Sequence, residues 1–405
     1  MNLSYSEEYE AFRAEVRAFI EAHWPPRGAE AELPHSEQVL RFRERAIAQG
    51  YLARSIPLRY GGSEQAPDVL KATLIRDELR RAGAPGEVLG LGVNLLVPTL
   101  LTHGQEWQKQ KFIGPTIRGQ LRWCQGYSEP GSGSDLASLQ TRAELRDGEW
   151  VINGQKIWTS GAQFADYMFC LCRSEPDMPK HAGISYLLID MKQPGITIQP
   201  LKQMTGNSGF NQIFFSDART PADWIVGKRG EGWLVSRTTL KHERNGLGNF
   251  DAAVAMLPRL VELARRTQRN GRPAIQDPEI RQRLVTIEGY MRSRLYSLYR
   301  RVSKEAKGQS AGPIELMDKL TRTEITQMAA KLAVDLIGDE ALLPPPTGRP
   351  TEAGPVEDFS NRGWIGTYMQ SLGTAIAAGS SNIQRNVIAE RGLGLPRDYH
   401  ASVAR

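Results

Sequence analysis

Two short stretches carry residue types that could grip a flat ring or a phosphate. In "WCQGYSEPGSGSDLAS", residues 123–138, Gly131 and Gly133 with Ser128, Ser132 and Ser134 offer backbone N–H groups and hydroxyls, a cradle for the polar edge of a ring or for an anion. Local composition alone favours a plainer reading, a polar surface loop. In "NGQKIWTSG", residues 153–161, Trp158 is followed at once by Thr159 and Ser160. An indole beside hydrogen-bonding hydroxyls is what the wall of an aromatic cofactor needs, although a core tryptophan beside solvated hydroxyls is the commoner fate of such a tripeptide.

A third stretch, "TTLKHERNGLGNFDAAVAMLPRLV", could supply a base. Leu240, Glu243, Leu247, Phe250, Val254, Leu257 and Val261 are spaced three and four apart and share one face of a helix. A carboxylate inside an apolar stripe loses solvation, which raises its pKa and makes it a better base. The periodicity weighs this evenly against a surface acid paired with Arg244 or Lys241. His242 is turned about 100° from Glu243, away from the stripe, and is expected to be solvated.

The elements that must carry these residues follow from the pattern along the chain. Residues 1–120 read as helices: Ser4 and Glu7 fit a capping box, and helical runs fit 37–49, 68–81 and 105–113, with Gly50, Gly83 and Gly114 at their ends. From 121 to 228 the pattern is β. Asp147-Gly148 and Asn153-Gly154 mark hairpin turns, and four further short apolar runs follow, as in a small barrel or two-sheet domain. Helices return over 229–405, broken by the Pro- and Gly-rich "LLPPPTGRPTEAGPVED". The order is helical domain, β domain, helical bundle. With no Gly-x-Gly-x-x-Gly between strand and helix, a Rossmann nucleotide site is not expected.

Bulk properties narrow the classes further. The 405 residues exceed one hydrophobic core. Lys and Arg total 51 against 45 Asp and Glu, a mild +6 that is scattered, so nucleic acid is not an expected partner. Cys124, Cys170 and Cys172 form no Cys-x-x-Cys pair, and the six histidines show no metal-ligand spacing. The N-terminus lacks the apolar core of a signal peptide and no run suits a membrane span, so a cytoplasmic protein is expected.

Taken together, "SEPGSGSD" at 128–135, "GQKIWTSG" at 154–161 and "SNIQRN" at 381–386 resemble the FAD-dependent acyl-CoA dehydrogenase family, and the likeness extends to "PLRYGG" at 57–62 and "RGEGW" at 229–233. The resemblance implies an α+β fold with an N-terminal helical domain, a middle β-barrel or sandwich and a C-terminal four-helix bundle. It implies FAD lined by Gln125, Tyr127, Ser128, Trp158, Thr159, Ser160 and Ser380, with Trp158 over one face of the isoalloxazine and Ser160 near its N5. Ser134, Arg244 and Ala378 fall at substrate positions, Ser134 against the pantetheine arm and Ala378 offering a backbone N–H to the thioester carbonyl beside a ribityl hydroxyl of the flavin. The implied reaction is α,β-dehydrogenation of an acyl-CoA within fatty acid metabolism. Electrons would pass to an electron-transfer flavoprotein, and the chain would work as a homo- or hetero-oligomer, a homotetramer in the simplest case.

Three departures from the family pattern shape the expectation. The glutamate that serves as base in the most familiar members is replaced by Ala378 in "AIAAGSSNIQRNVIAERGLGLP". The family's second place for that base matches Glu243-Arg244, which makes Glu243 the expected catalytic residue. The positions that grip the cofactor's pyrophosphate and adenine hold Thr267, Asn270 and Gly271, then Asp335, Gly338 and Asp339. An aspartate there opposes an anion. Either Arg266 or Arg269 takes over, or the chain completes its FAD sites with a different subunit; a non-catalytic half-site subunit and a related flavin oxidase or monooxygenase are the alternatives.

Overall fold

The computed structural model describes residues 5–244, 250–343 and 361–396, with side chains for all of these except 243–244, 250–255 and 362. The chain divides into two compact units, residues 1–199 with 211–242, and residues 200–210 with 243–405.

The first unit begins with five helices: α1 (Glu7–His23), α2 (His35–Ala48), α3 (Val69–Arg81), α4 (Val97–His103) and α5 (Glu106–Ile117). Asp68 caps α3 by accepting from the N–H groups of Leu70 and Lys71 at 3.0 and 2.9 Å. Two details differ from the sequence pattern. The residue that precedes α1 is Ser6, while Ser4 of the expected capping box lies outside the described residues. Helix α5 does not stop at Gly114 but continues through Pro115 to Ile117. Its last turn is pinned by burial of Phe112, Ile113 and Ile117, and Trp123 Nε1 donates to Thr116 Oγ1 at 2.9 Å. Tertiary packing overrides the local breaker.

The eight strands that follow are β1 (Trp123–Gly126), β2 (Arg142–Arg146), β3 (Glu149–Ser160), β4 (Tyr167–Arg173), β5 (Ile184–Asp190), β6 (Ile196–Leu201), β7 (Phe210–Pro221) and β8 (Ile225–Val226), in the order β6-β7-β3-β2-β4-β5-β8. One edge of β4 is shared: β1 runs parallel along 167–170, and β2 meets it at Arg173. Because β4 is covered on both faces, it reads as one apolar run instead of alternating. Met168, Cys170 and Cys172 face a core with Trp150, Ile152 and Ile213, whereas Phe169 and Leu171 face the core that includes Phe112, Leu96 and Tyr186.

Asp147-Gly148 makes the expected β2–β3 hairpin, with φ of 49° and 82° at the two turn residues. Asn153-Gly154 does not turn. Strand β3 runs straight through it, because Asn153 is paired sideways: its Nδ2 donates to Asp217 Oδ1 at 2.8 Å and its Oδ1 accepts from Asp217 N at 2.9 Å. Gly154, at φ 140°, lies so close to β2 that a Cβ would stand 2.8 Å from the Cα of Thr141.

Helix α6 (Gly232–Arg244) returns to the first unit through His242 and packs Val235 and Leu240 on the same core as Tyr186. In the second unit α9 (Ile314–Ile337) packs against α7 (Phe250–Arg266), α8 (Pro278–Glu305) and α10 (Asn361–Thr374), and the short α11 (Ser381–Val387) follows. Its core joins Met256, Leu260, Leu263, Ile287, Ile325, Leu332 and Trp364. Of the stripe read from Glu243 onward, Leu257 and Val261 pack at the edge of this core; Leu247 and the side chains of Phe250 and Val254 lie outside the described residues. No described helix is long and apolar enough to cross a membrane.

Candidate active site

In the first unit the two Gly- and Ser-bearing stretches are bound to each other. Strand β1 ends at Gly126, where any side chain would strike the sulfurs of Met168 and Cys170 on β4. The chain then passes Tyr127 and Ser128 and accepts Ile157 N on Ser128 O at 2.9 Å, which draws 127–129 against β3. The tie beneath them is an ion pair. Lys156, fully buried, places Nζ 2.8 Å from Glu129 Oε1 and 3.1 Å from the Tyr127 carbonyl. Burial would raise the Glu129 pKa, but Lys156, the Thr141 contact and the Gln140 N–H more than offset it and hold the carboxyl below its ordinary value.

The loop beyond is held in part by its own hydrogen bonds. Glu129 and Ser132 exchange backbone hydrogen bonds at 2.8 and 3.0 Å, and Ser132 Oγ donates to Asp135 O at 2.8 Å. That spends the buried Ser132 hydroxyl on shape. Ser134 remains exposed on the same loop, and Gln125 and Ser128 are half-buried.

On β3 Trp158 and Ser160 are exposed, and Thr159 between them is buried. Trp158 is 58% exposed and has φ of 60°. A left-handed tryptophan within a strand is strained, and strain of this kind clusters at functional sites. Thr159 and Asn211 are fully buried. Asn211 Nδ2 donates to the Thr159 carbonyl at 3.0 Å, while Thr159 Oγ1 and Asn211 Oδ1 have no hydrogen-bond partner among the described residues. An exposed indole, an exposed hydroxyl two residues on and buried polar atoms left unsatisfied between them fit the ring of a bound flavin.

The second unit carries the other predicted residues. Ala378 and Gly379 are both left-handed, with φ of 52° and 83°, and both are exposed. The turn is closed by Ser381 N on Ala375 O at 2.8 Å, and Gln384 Nε2 donates to Ala378 O at 3.4 Å. A side chain at Gly379 would stand 2.5 Å from Gln384 Nε2. The Ser380 hydroxyl accepts from Ile383 N at 3.4 Å as the cap of α11. Glu243 and Arg244 form the last two positions of α6, and their side chains lie outside the described residues. His242, expected to be solvated, is half-buried, and burial with Lys241 nearby lowers its pKa.

Among the positions that grip the adenine end in the family Asp335 is already paired within the unit, and so are the neighbouring Arg266 and Arg269. Asp335 accepts from Arg283 Nη2 at 2.7 Å. Arg269 is held by Glu279 at 3.0 Å and Asp277 at 3.4 Å, and Arg266 donates to Asn361 Oδ1 at 2.6 Å. Asn270-Gly271 forms the turn of a two-residue hairpin. Neither arginine is therefore held ready for a pyrophosphate. Sequence reasoning missed the Glu129–Lys156 pair, since an acid and a lysine 27 residues apart look like two solvated charges.

Comparison with known proteins agrees along almost the full length. The models described as acyl-CoA dehydrogenase N-terminal, middle and C-terminal domains match residues 6–120, 124–218 and 230–393. The chain is 38% identical over 404 residues to acyl-CoA dehydrogenase IpdE1 of Mycobacterium tuberculosis, covering 97% of this chain and 99% of that one. It is 36% identical over 359 residues to acyl-CoA dehydrogenase FadE34 of the same organism, covering 88% and 46%. Among solved structures, the ChsE4-ChsE5 complex of Mycobacterium tuberculosis matches with TM-score 0.73 and 28% identity over 98% of this chain and 100% of that one. The Tcur3481-Tcur3483 steroid ACAD matches with TM-score 0.73 and 27% identity over the same shares. The chain belongs to the acyl-CoA dehydrogenase family, whose members are oxidoreductases that generally bind FAD.

Proposed function

We propose that the protein removes hydrogen from the α and β carbons of an acyl-CoA thioester to give the trans-2-enoyl-CoA, with Glu243 as the base for the α-proton. The observation that carries this reading is the strained, exposed Trp158 with the exposed Ser160 two residues on, a shelf suited to a flavin. When bound, FAD supplies the acceptor for the β-hydride. The protein's own groups do the rest. Trp158 would cover the ring, Ser160 and the 125–128 segment with Gln125, Tyr127 and Ser128 would hold its polar edge, and Thr159 would support them. Ser134 meets the pantetheine arm.

An α-proton beside a thioester leaves readily only if the carbonyl oxygen is stabilised as charge builds on it. The Ala378 N–H is assigned to that oxygen, since a backbone donor survives the loss of the family's glutamate side chain. Glu243 takes the proton, with Arg244 beside it in sequence. A general base of this kind is worth about 10²–10⁴-fold. An electron-transfer flavoprotein would be the acceptor of the electrons.

The substrate is proposed to be bulky, a ring-bearing acyl-CoA of the steroid type. Two things support this: the likeness to a steroid dehydrogenase at 27% identity, and Ala378, which frees the space a glutamate would fill beside the α-carbon. The test is anaerobic bleaching of the purified yellow protein by a panel of CoA esters. Fastest bleaching by ring-bearing esters is expected; no bleaching by any ester would overturn the activity, and preference for short straight chains would overturn the substrate class.

A second reading has its own support. With Asp335 paired to Arg283 and Arg269 paired to Glu279 and Asp277, the adenine end of FAD is proposed to be completed by a different subunit, as in a hetero-oligomer. Substoichiometric flavin in the isolated chain is then expected. Full occupancy in a homo-oligomer, the homotetramer included, would dispose of it.

A further inference from the structure

A one-way chain of buried hydroxyls ends one helical turn before position 243. Tyr186 Oη lies 3.4 Å from Thr239 Oγ1, Thr239 Oγ1 lies 2.9 Å from Thr99 Oγ1, and Thr99 Oγ1 lies 2.7 Å from the Leu95 carbonyl. The Leu95 carbonyl can only accept, so it takes the Thr99 proton. Thr239 must then donate to Thr99, and Tyr186 to Thr239. All three hydroxyl residues are fully buried, where an unmade hydrogen bond is expensive.

Both ends of the chain touch unusual places. The final acceptor sits in Gly92–Leu96, one turn of π-helix immediately before α4, and such turns recur at functional sites. At the other end the Tyr127 ring meets Tyr186 edge-on with 6.3 Å between centroids, and Tyr127 belongs to the segment assigned to the flavin. Helix α6 is continuous from Gly232 to Arg244, so positions 239 and 243 share a face. A parallel link, His103 Nε2 to Thr238 Oγ1 at 2.8 Å, joins the same two helices.

Threonine inside a helix commonly bonds its own carbonyl four residues back, as Thr99 does. The recorded partners of Thr239 are instead a second helix and the β-sheet. Val235 and Leu240 hold α6 against the core, but apolar contact tolerates small rotations that the 2.9 Å Thr239–Thr99 hydrogen bond does not, and the longer Tyr186 contact adds to it.

We infer that Thr239 is a positioning residue for proton abstraction: tied between Thr99 and Tyr186, its hydroxyl fixes the rotation of α6 about its axis and so the placement of the base one turn further on. The inference rests on the assignment of Glu243 as base. It also makes Tyr186 a mechanical link between the flavin-side segment and the base-bearing helix.

The test uses the full-length holoenzyme and the acyl-CoA that bleaches the wild-type flavin fastest, with limiting reduction rate and substrate dissociation constant read separately by anaerobic stopped flow. Thr239→Val keeps the shape and removes the hydroxyl; the limiting rate is expected to fall about 10- to 100-fold with flavin content and dissociation constant unchanged. Thr239→Ser restores most of the rate. A wild-type rate in Thr239→Val while Glu243→Gln is inactive overturns the inference and leaves the base assignment standing. A Ser variant as slow as the Val variant also overturns it. If Thr239→Val does not fold, Tyr186→Phe carries the test: a smaller fall in rate at constant affinity supports the inference, and no change contradicts it. Wild-type reduction by Glu243→Gln removes the base assignment itself, a separate outcome.

Discussion

Lys156 Nζ lies 2.8 Å from Glu129 Oε1, with the lysine fully buried, and this pair helps the Ile157–Ser128 backbone hydrogen bond tie the segment bearing Tyr127 and Ser128 to the strand bearing Trp158 and Ser160. Removing the lysine leaves the Glu129 carboxylate with only the Gln140 and Thr141 N–H groups, and breaking a buried pair costs about 3–5 kcal/mol. Lys156→Met is therefore expected to lower the melting temperature and to loosen flavin at once. Loss of stability with wild-type flavin affinity would show that the pair does not hold the cofactor wall.

The same pair sets an acid limit. The folded-state pKa of Glu129 lies below its ordinary value near 4.5. Its contribution is thus complete above the unfolded value and is lost as pH falls through the lower, folded one. The stability advantage of wild type over Glu129→Gln should be widest at neutral pH and shrink steadily below about pH 4.5. Urea unfolding of both proteins across this range checks it; an advantage that grows in acid would contradict the assignment.

Gly154 is expected to be irreplaceable for conformational reasons alone. Its φ of 140° suits only glycine, and an added methyl group would press on Thr141. Gly154→Ala should cost about 1–3 kcal/mol. A thermal shift within error of wild type would show that β3 can relax there.

Lys319 runs the other way. It is buried on α9, its Nζ has no acceptor among the described residues, and burial together with Arg322 lowers its pKa. Lys319→Met should leave stability unchanged or raise it by about 1–3 kcal/mol, since an unpaired buried ammonium is replaced by an apolar chain of similar length. A clear drop in melting temperature would show that the ammonium has an undetected role.

What could be read from the sequence was what is local. Asp147-Gly148 turns because both residues tolerate left-handed backbone, and Asp68 caps α3 with its own side chain; each needs only its neighbours. Asn153-Gly154 has the same turn chemistry, yet Asp217, 64 residues away, takes the asparagine side chain and keeps the strand straight. At the site, the tripeptide Trp158-Thr159-Ser160 and the small residues around Ala378 stood out by type. The strain at Trp158, the pair beneath it and the Tyr186–Thr239–Thr99 chain depend on contacts between distant segments, which periodicity does not encode. His242 was misplaced for the same reason: solvation was inferred from one helix, without the elements that cover it.

The central claim is that the base has moved from position 378 to Glu243. Glu243→Gln, purified with its flavin and mixed anaerobically with the preferred acyl-CoA, measures this directly. Retention of the yellow colour with reduction slowed by at least about 10²-fold is the predicted result; reduction at the wild-type rate would contradict it.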